Sequence, residues 1–463
     1  MTAPLPLTLT ADAISPRPSF PSKMDHVLLY GVFAILLFAP LAFGAVESWS
    51  ISIMQLGASF LFALWAARQV VAGDLEIMGN PLFLPMGLFA GLILWQLATG
   101  RTAYRFDTSA MALMYCAYGL LCFLVVQCLR RTSQVKALAW LFSGYGFTVA
   151  LFALLQGIAS NGKLYWLRSP ASGGWIYGPY VNHNHYAGLM EMLMPIPLVI
   201  SFVDDVRDSR RALAALAAAV MASTIFLSGS RGGMAAFAVQ MSLLAGFLLT
   251  RRKNWKAAFA LGAFLVIALA LLAWLGGGEL LDRLASIHSG ARTELSGGTR
   301  LTIDRDALRM FAHQPVLGWG LGTFPDAYPQ FSTLATNLRV GMTHNDYLQL
   351  LVEMGALGFA TGLWFLLTLH RSAFKKLKHF PSDTNAVVTL AALLGVTGIL
   401  VHSFVDFNLQ IPANAALFYV LCTVAAMEPC FGRHSRKRRI SASRDGAVLP
   451  PAYYPRFQSG TKE

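Results

Sequence analysis

Residues 343–369 run THNDYLQLLVEMGALGFATGLWFLLTL, a polar Thr343-His344-Asn345 followed by some two dozen residues of nearly unbroken hydrocarbon. A helix of that length matches the roughly 30 Å apolar core of a bilayer at about 1.5 Å per residue. Runs of the same kind lie near 27–45, 51–71, 81–98, 109–129, 136–158, 186–203, 212–228, 233–250, 257–275, 386–404 and 412–430. The fold class expected is an all-α integral membrane protein of about twelve transmembrane helices, with its membrane domain over residues 26–432.

Composition agrees. The 463 residues are 56% hydrophobic and only 13% charged, far from the roughly 25% charged residues of soluble chains. A formal charge of +13 could suggest nucleic acid, but Lys and Arg gather in alternate loops: Arg130-Arg131, residues 207–211, Arg251-Arg252-Lys253, Lys375-Lys376-Lys378 and Arg436-Lys437-Arg438-Arg439. That asymmetry follows the positive-inside rule. It predicts cytoplasmic termini, with 159–185, 228–231, 276–343 and 405–411 on the far side. The basic tail, 433–463, is expected to touch anionic lipid rather than nucleic acid. Residues 1–25 are polar and Pro-rich, and the first apolar run lacks a small-residue cleavage pattern, which predicts a retained first helix and disordered ends over 1–22 and 440–463. Cys116, Cys122, Cys128, Cys422 and Cys430 fall in or near two predicted helices, so no disulfide framework is expected.

No internal repeat is evident, which argues against a transporter built of matching halves. The loop of roughly 68 residues before the tenth helix is long enough to be functional. Within it, Leu301, Asp304, Leu308 and Phe311 recur at helical spacing, and Pro315 with Gly318, Gly320 and Gly322 ends the pattern. Trp319, Phe324, Tyr328 and Phe331 suit a lid on the bilayer interface or a platform for sugar rings, and the interface reading is favoured.

Few residues carry chemistry. Thr343 and Asp346 are expected to form a capping-box-like pair, and the positive end of the helix dipole should keep the His344 imidazole neutral and able to accept a proton. The bland alternative is a histidine that only anchors the helix. Arg231, in Ser228-Gly229-Ser230-Arg231-Gly232-Gly233, sits in a turn between two spans where glycines let an anion approach, and its planar fork suits phosphate oxygens. Arg300 and Arg305, with Arg309, put positive charge on the loop helix and could hold a second phosphate or form a solvated face. Asn182, Asn184 and His185, in residues 178–186, could bind sugar hydroxyls or cap a helix. His183, His185 and His344 do not match a zinc spacing, so no metal and no cofactor are expected. Asp304 and Asp306 point away from each other on a helix and would not converge on one ion. Glu191, Glu353, His402 and Asp406 lie in or beside spans; a structural role is expected for Glu353.

Taken together, these motifs resemble the O-antigen ligase and Wzy-type polysaccharide polymerase superfamily of bacterial inner-membrane proteins. The likeness rests on residues 178–188 (GPYVNHNHYAG), Ser230-Arg231-Gly232-Gly233, Arg300 leading to residues 314–324 (QPVLGWGLGTF), and His344-Asn345-Asp346-Tyr347-Leu348-Gln349 with Glu353-Met354-Gly355. Residues 402–412 (HSFVDFNLQIP) look like the exopolysaccharide-associated members. One departure is Asp304, where a tryptophan often follows the loop-helix arginine.

The resemblance implies inverting glycosyl transfer at the periplasmic face, without metal, from an undecaprenyl-diphosphate-linked glycan to an acceptor hydroxyl. His344 would be general base or acceptor-orienting group; Arg231, Arg300 and Arg305 would hold the diphosphate; Asn182, Asn184, His185, Asn345 and Asp346 would bind glycan or shape the site. The donor already carries a good leaving group, so no acidic pair of the glycosidase kind is needed. Acceptors could be a growing glycan, making the protein a polymerase, or lipid A-core, making it a ligase; a chain-length regulator would be a further partner of the polymerase. Two other readings stay open, a pilin-type protein O-oligosaccharyltransferase and a bicarbonate-like small-anion transporter.

Overall fold

The computed structural model describes residues 23–427, apart from 74, 76, 170–174, 204–205, 253–258, 260, 269, 271–296 and 335–338. Residues 1–22, the tail from 428 with its 436–439 basic run and Cys430, the first part of the long loop, and parts of the expected span at 257–275 lie outside the described residues. Two isolated bridges, Leu164 with Arg168 and Tyr177 with Tyr180, are the only β-pairing among the described residues. All else that is regular is helix.

The main helices are α1 (Lys23–Leu41), α2 (Ser48–Ala72), α3 (Phe83–Thr99), α4 (Arg105–Cys128), α5 (Thr132–Ile158), α6 (His183–Leu193), α7 (Pro195–Ser201), α8 (Asp208–Leu227), α9 (Arg231–Arg252), α10 (Gly297–His313), α11 (Asp346–Leu377), α12 (Thr384–His402) and α13 (Pro412–Ala426). Eight of these, α1, α2, α4, α5, α8, α9, α11 and α12, are long and apolar enough to cross a membrane; α3 and α13 are shorter and apolar. Residues 261–268 are also helical and pack through Leu261, Phe264 and Ala268 into the main core. The single span expected at 186–203 is instead two short helices. Pro195 cannot donate a backbone hydrogen bond, and α7 restarts with it.

All of α6 and nearly all of α7 are buried, which places them at the centre of the bundle and obliges the polar His183, Asn184, His185 and Glu191 of α6 to find partners inside it. Helices at the rim instead expose Leu56, Phe60, Leu88, Leu94 and Leu155, which on a membrane domain is the surface offered to lipid chains. Hydrogen bonds define two ends. At one, Asn80 donates to the Thr423 carbonyl and Lys376 to that of Met427, near Arg130 and Arg131. At the other, the Ala413 amide donates to Gly44, Asp346 to Ser403, and Asn414 to His185.

Helix α11 is interrupted. Gly355 takes φ 64° and ψ −169°, a conformation open in practice only to glycine. Residues 315–320 of the loop dock against this break. The Trp319 and Gly320 amides donate to the Val352 and Glu353 carbonyls, and Ala356 and Leu357 donate to Pro315 and Val316. Beneath them the Glu353 carboxylate, 2% exposed, accepts from the Gly322 and Phe324 amides and from Gln349. Gln96 of α3 donates to the Leu317 carbonyl and accepts from the Leu321 amide. These bonds satisfy the backbone groups that the break frees and give Glu353 the structural role expected of it.

The loop meets one expectation and departs from another. Helix α10 forms where the spacing placed it, and its buried face lies beside that stripe: Leu301 and Leu308 are about half exposed, while Ile303, Asp306, Ala307 and Met310 are buried, in one cluster with Val352 of α11. Asp306 wins its buried place because Tyr328 and the main chain and hydroxyl of Thr333 all donate to it. The loop aromatics pack on the loop's own core, where a free lid or platform was expected. Phe324 and Tyr328 are buried, and Trp319 and Phe331 pack on the same cluster, Trp319 donating to the Met310 carbonyl.

Candidate active site

At the end of the bundle opposite Lys376, the short connection between α12 and α13, residues 403–411, is the hub on which the other motifs meet. The α9 start approaches it from one side: a Cβ on Gly232 would overlap the His402 ring and lie 2.9 Å from Val405. Arg300 reaches it from α10, donating to the Val405 carbonyl at 2.9 Å. His344 and His185 each set a ring edge against Phe407, with centroids 4.8 and 4.9 Å away. The Asn408 side chain lies against Gly188 and accepts from Asn414. Residues more than 200 apart in the chain are thus brought within one side chain of each other.

His344 precedes α11 with φ 57°, a left-handed conformation that costs a non-glycine residue free energy and marks a constrained position. The capping expected of Thr343 and Asp346 is wrong in its residues. Asn345 is the N-cap, its side chain accepting from the Tyr347 and Leu348 amides at 3.1 and 3.2 Å. Thr343 instead accepts from the Asn345 amide, and its own amide donates to Gln349. An asparagine satisfies two orphan N–H groups at once, which explains why it displaces the threonine. Asp346 is buried and turned away from solvent, accepting from Ser403, the Leu409 amide and Gln410. It fastens the α11 start to the hub.

Arg231 is exposed as the first residue of α9, with no hydrogen bond or ion pair to the described residues. Trp175 closes over the turn that carries it, close enough that a Cβ on Gly229 would lie 3.0 Å from its ring, and it packs on His183 with centroids 4.4 Å apart. Arg300 is half-buried; burial raises the nearby Asp304 carboxyl above its ordinary range while the Arg300 charge opposes the shift. Arg305 is exposed on α10 beside Leu301 and Leu308 and is not tied to the hub. Asn182 caps α6 by accepting from the Asn184 amide, and its amide group lies 3.4 Å from His185. Asn184 and His185 are themselves buried.

His185 also lies 3.7 Å from Asp406. Burial would push the Asp406 carboxyl up, but His185 and the charge of His402 hold it well below the usual carboxylate range. Sequence reasoning missed a second pair entirely: His402 Nδ1 is 2.8 Å from Glu191 Oε1, and His402 Nε2 is 3.4 Å from Ser230 Oγ. The available signal was a lone carboxylate, Glu191, in the apolar second half of α6, which must find a partner. Among the described residues no group of three His, Cys, Asp or Glu is arranged to hold a metal ion.

The arrangement brings the Arg300 guanidinium, the His344 imidazole and the helix start that carries Arg231 to one short loop, backed by buried ion pairs. Such a cluster can bind an anion and exchange a proton on a neighbouring group. Residues 216–363 match the family model described as Wzy_C, O-antigen ligase. The matched stretch contains Arg231, Arg300, Arg305 and His344, whereas Asn182, His185, Glu191, His402 and Asp406 lie outside it. No curated protein matches the chain.

Proposed function

We propose that this chain, which carries an O-antigen ligase domain over residues 216–363, transfers a glycan from undecaprenyl diphosphate to an acceptor hydroxyl at the periplasmic face of a bacterial inner membrane. The observation that supports the reading is the approach of Arg300, His344 and the α9 start that carries Arg231 to residues 402–408. In this reading the acceptor oxygen attacks the anomeric carbon, the bond to the diphosphate breaks, and its electron pair leaves with the diphosphate. Attack from the opposite face inverts the anomeric centre. His344 takes the hydroxyl proton, and Arg231 and Arg300, with Arg305 at the rim, stabilise the charge that builds on the leaving group. Because a diphosphate leaves readily, the reaction proceeds without metal.

The topology that goes with this has about twelve crossings and both termini in the cytoplasm, the loop 276–343 lying outside. Alternate basic loops support it. The acceptor proposed is a second glycan repeat, which makes the protein a polymerase of exopolysaccharide or O-antigen working beside a chain-length regulator. The description of the matched family favours lipid A-core as a second candidate.

The test is transfer by purified protein in detergent with EDTA, offering undecaprenyl-diphosphate-linked repeats as donor and repeats, lipid A-core or pilin as acceptor, with His344→Ala beside wild type. A ladder or a single ligated product from wild type and none from the folded variant is expected. Equal product from His344→Ala would remove the base assignment, and no product on any acceptor would overturn the transferase reading.

A further inference from the structure

Behind the Arg231 turn lies a buried chain of polar groups to which the proposed reaction assigns no part. Glu191, fully buried on α6, holds the His402 Nδ1 at 2.8 Å, and the opposite ring nitrogen faces Ser230 Oγ at 3.4 Å. Ser230, also fully buried, accepts from the Gly233 amide at 3.1 Å and so caps α9. Arg231 is the next residue.

Such a chain is costly. A carboxylate at the centre of a membrane bundle loses its hydration and recovers only part of that loss from one partner, and Glu191 Oε2 makes no hydrogen bond among the described residues. The α9 start is also shaped to accommodate it. A Cβ on Gly232 would overlap the His402 ring, and one on Gly233 would crowd Glu191 Oε1 at 3.1 Å. Ser230, Gly232 and Gly233 of the arginine motif therefore all serve contact with the pair, and only Arg231 turns outward.

We propose that Glu191, His402 and Ser230 form a positioning relay that fixes the first turn of α9, and with it the Arg231 guanidinium, for the lipid diphosphate. The inference rests on the diphosphate reading given above. A neutral His402 donates from Nδ1 to Glu191 and accepts the Ser230 hydroxyl proton at Nε2; a charged ring donates at both. Either way Ser230 Oγ keeps a lone pair for the Gly233 amide, so the cap holds. A Ser-His-Glu nucleophilic triad is the other arrangement these residue types suggest. It fails here because Ser230 is wholly buried and its oxygen is committed to the helix.

The test is binding of undecaprenyl diphosphate to the full chain in nanodiscs for wild type, Arg231→Ala, Glu191→Gln and the double variant, with acceptor KM measured alongside. Loss of one charge-assisted contact weakens binding about tenfold or more, and both single variants are expected to do so with acceptor KM unchanged. The double variant is expected to match Arg231→Ala, because residues acting through one another are not additive. Ser230→Ala is the second route should Glu191→Gln fold poorly, and Ser230→Thr, which keeps the hydroxyl, is expected to restore binding. Wild-type binding by Arg231→Ala would remove the diphosphate reading. Weakened binding by Arg231→Ala beside wild-type binding by Glu191→Gln or Ser230→Ala, or independent effects in the double variant, would overturn the relay alone.

Discussion

Replacing Gly355 by alanine tests whether the break in α11 holds the loop in place. A β-carbon there meets two penalties: a backbone conformation that L-residues avoid, about 1–3 kcal/mol, and overlap with the Val316 carbonyl and the Leu317 amide, about 1–3 kcal/mol more. The total, about 2–6 kcal/mol, can be relieved by releasing residues 315–320. Their four main-chain bonds to α11 contribute about 0.5–1.5 kcal/mol each, a sum of the same size. The loop should therefore detach while the bundle stays folded. Limited proteolysis across 314–324 should quicken at least tenfold and glycosyl transfer should fall with it, with little change in thermal unfolding. Gly87→Ala in α3, where a β-carbon meets nothing, is the control and should be neutral or slightly stabilising. A Gly355→Ala protein with a protected loop and wild-type transfer would refute the reasoning.

Three more outcomes are expected. Asp306→Ala leaves the Thr333 amide and Tyr328 hydroxyl without their acceptor and should destabilise the loop by about 2–3 kcal/mol, seen as faster hydrogen exchange over 324–334. Asn345→Ala removes the α11 cap at a cost of about 1 kcal/mol and should lower transfer by loosening the adjacent His344, with Asn345→Ser restoring most of it. Glu47 is held below its ordinary pKa by Arg168 first, with Trp49 assisting against burial. Its contribution is present above the unfolded carboxylate pKa and lost as pH falls through the lower folded one. Melting curves of wild type and Glu47→Gln should therefore converge at low pH and separate, slightly, near neutrality.

What could be foreseen from the chain follows the range of the forces involved. The all-helical class, eight long apolar helices and the α10 helix are local patterns, and they were legible. The α11 break was not, because the residues around Gly355 are as apolar as a continuous helix and the partner segment lies more than thirty positions earlier. The buried face of α10 was not foreseen for a related reason: Asp306 is buried where Tyr328 and Thr333 satisfy it, and the helical spacing read from the sequence runs through Leu301 and Leu308. His344 and Arg231 could be singled out as polar groups at span ends, and Arg300 as a charge at the start of the loop helix. That Glu191 would meet His402, 211 positions away, depends on helix packing that no local pattern encodes.

The seam between residues 315–320 and the broken α11 also predicts a distinctive substitution profile. Main-chain groups make its bonds, so outward side chains such as Val316 and Gln314 should accept almost any replacement that leaves the backbone free. Gly318, Gly320 and Gly355, where a β-carbon would collide with Glu353, Thr102 or Val316, should accept almost none. A saturation library of this segment should accordingly sort by backbone geometry rather than by hydrophobicity, and other loops could be grafted between the same fixed glycines.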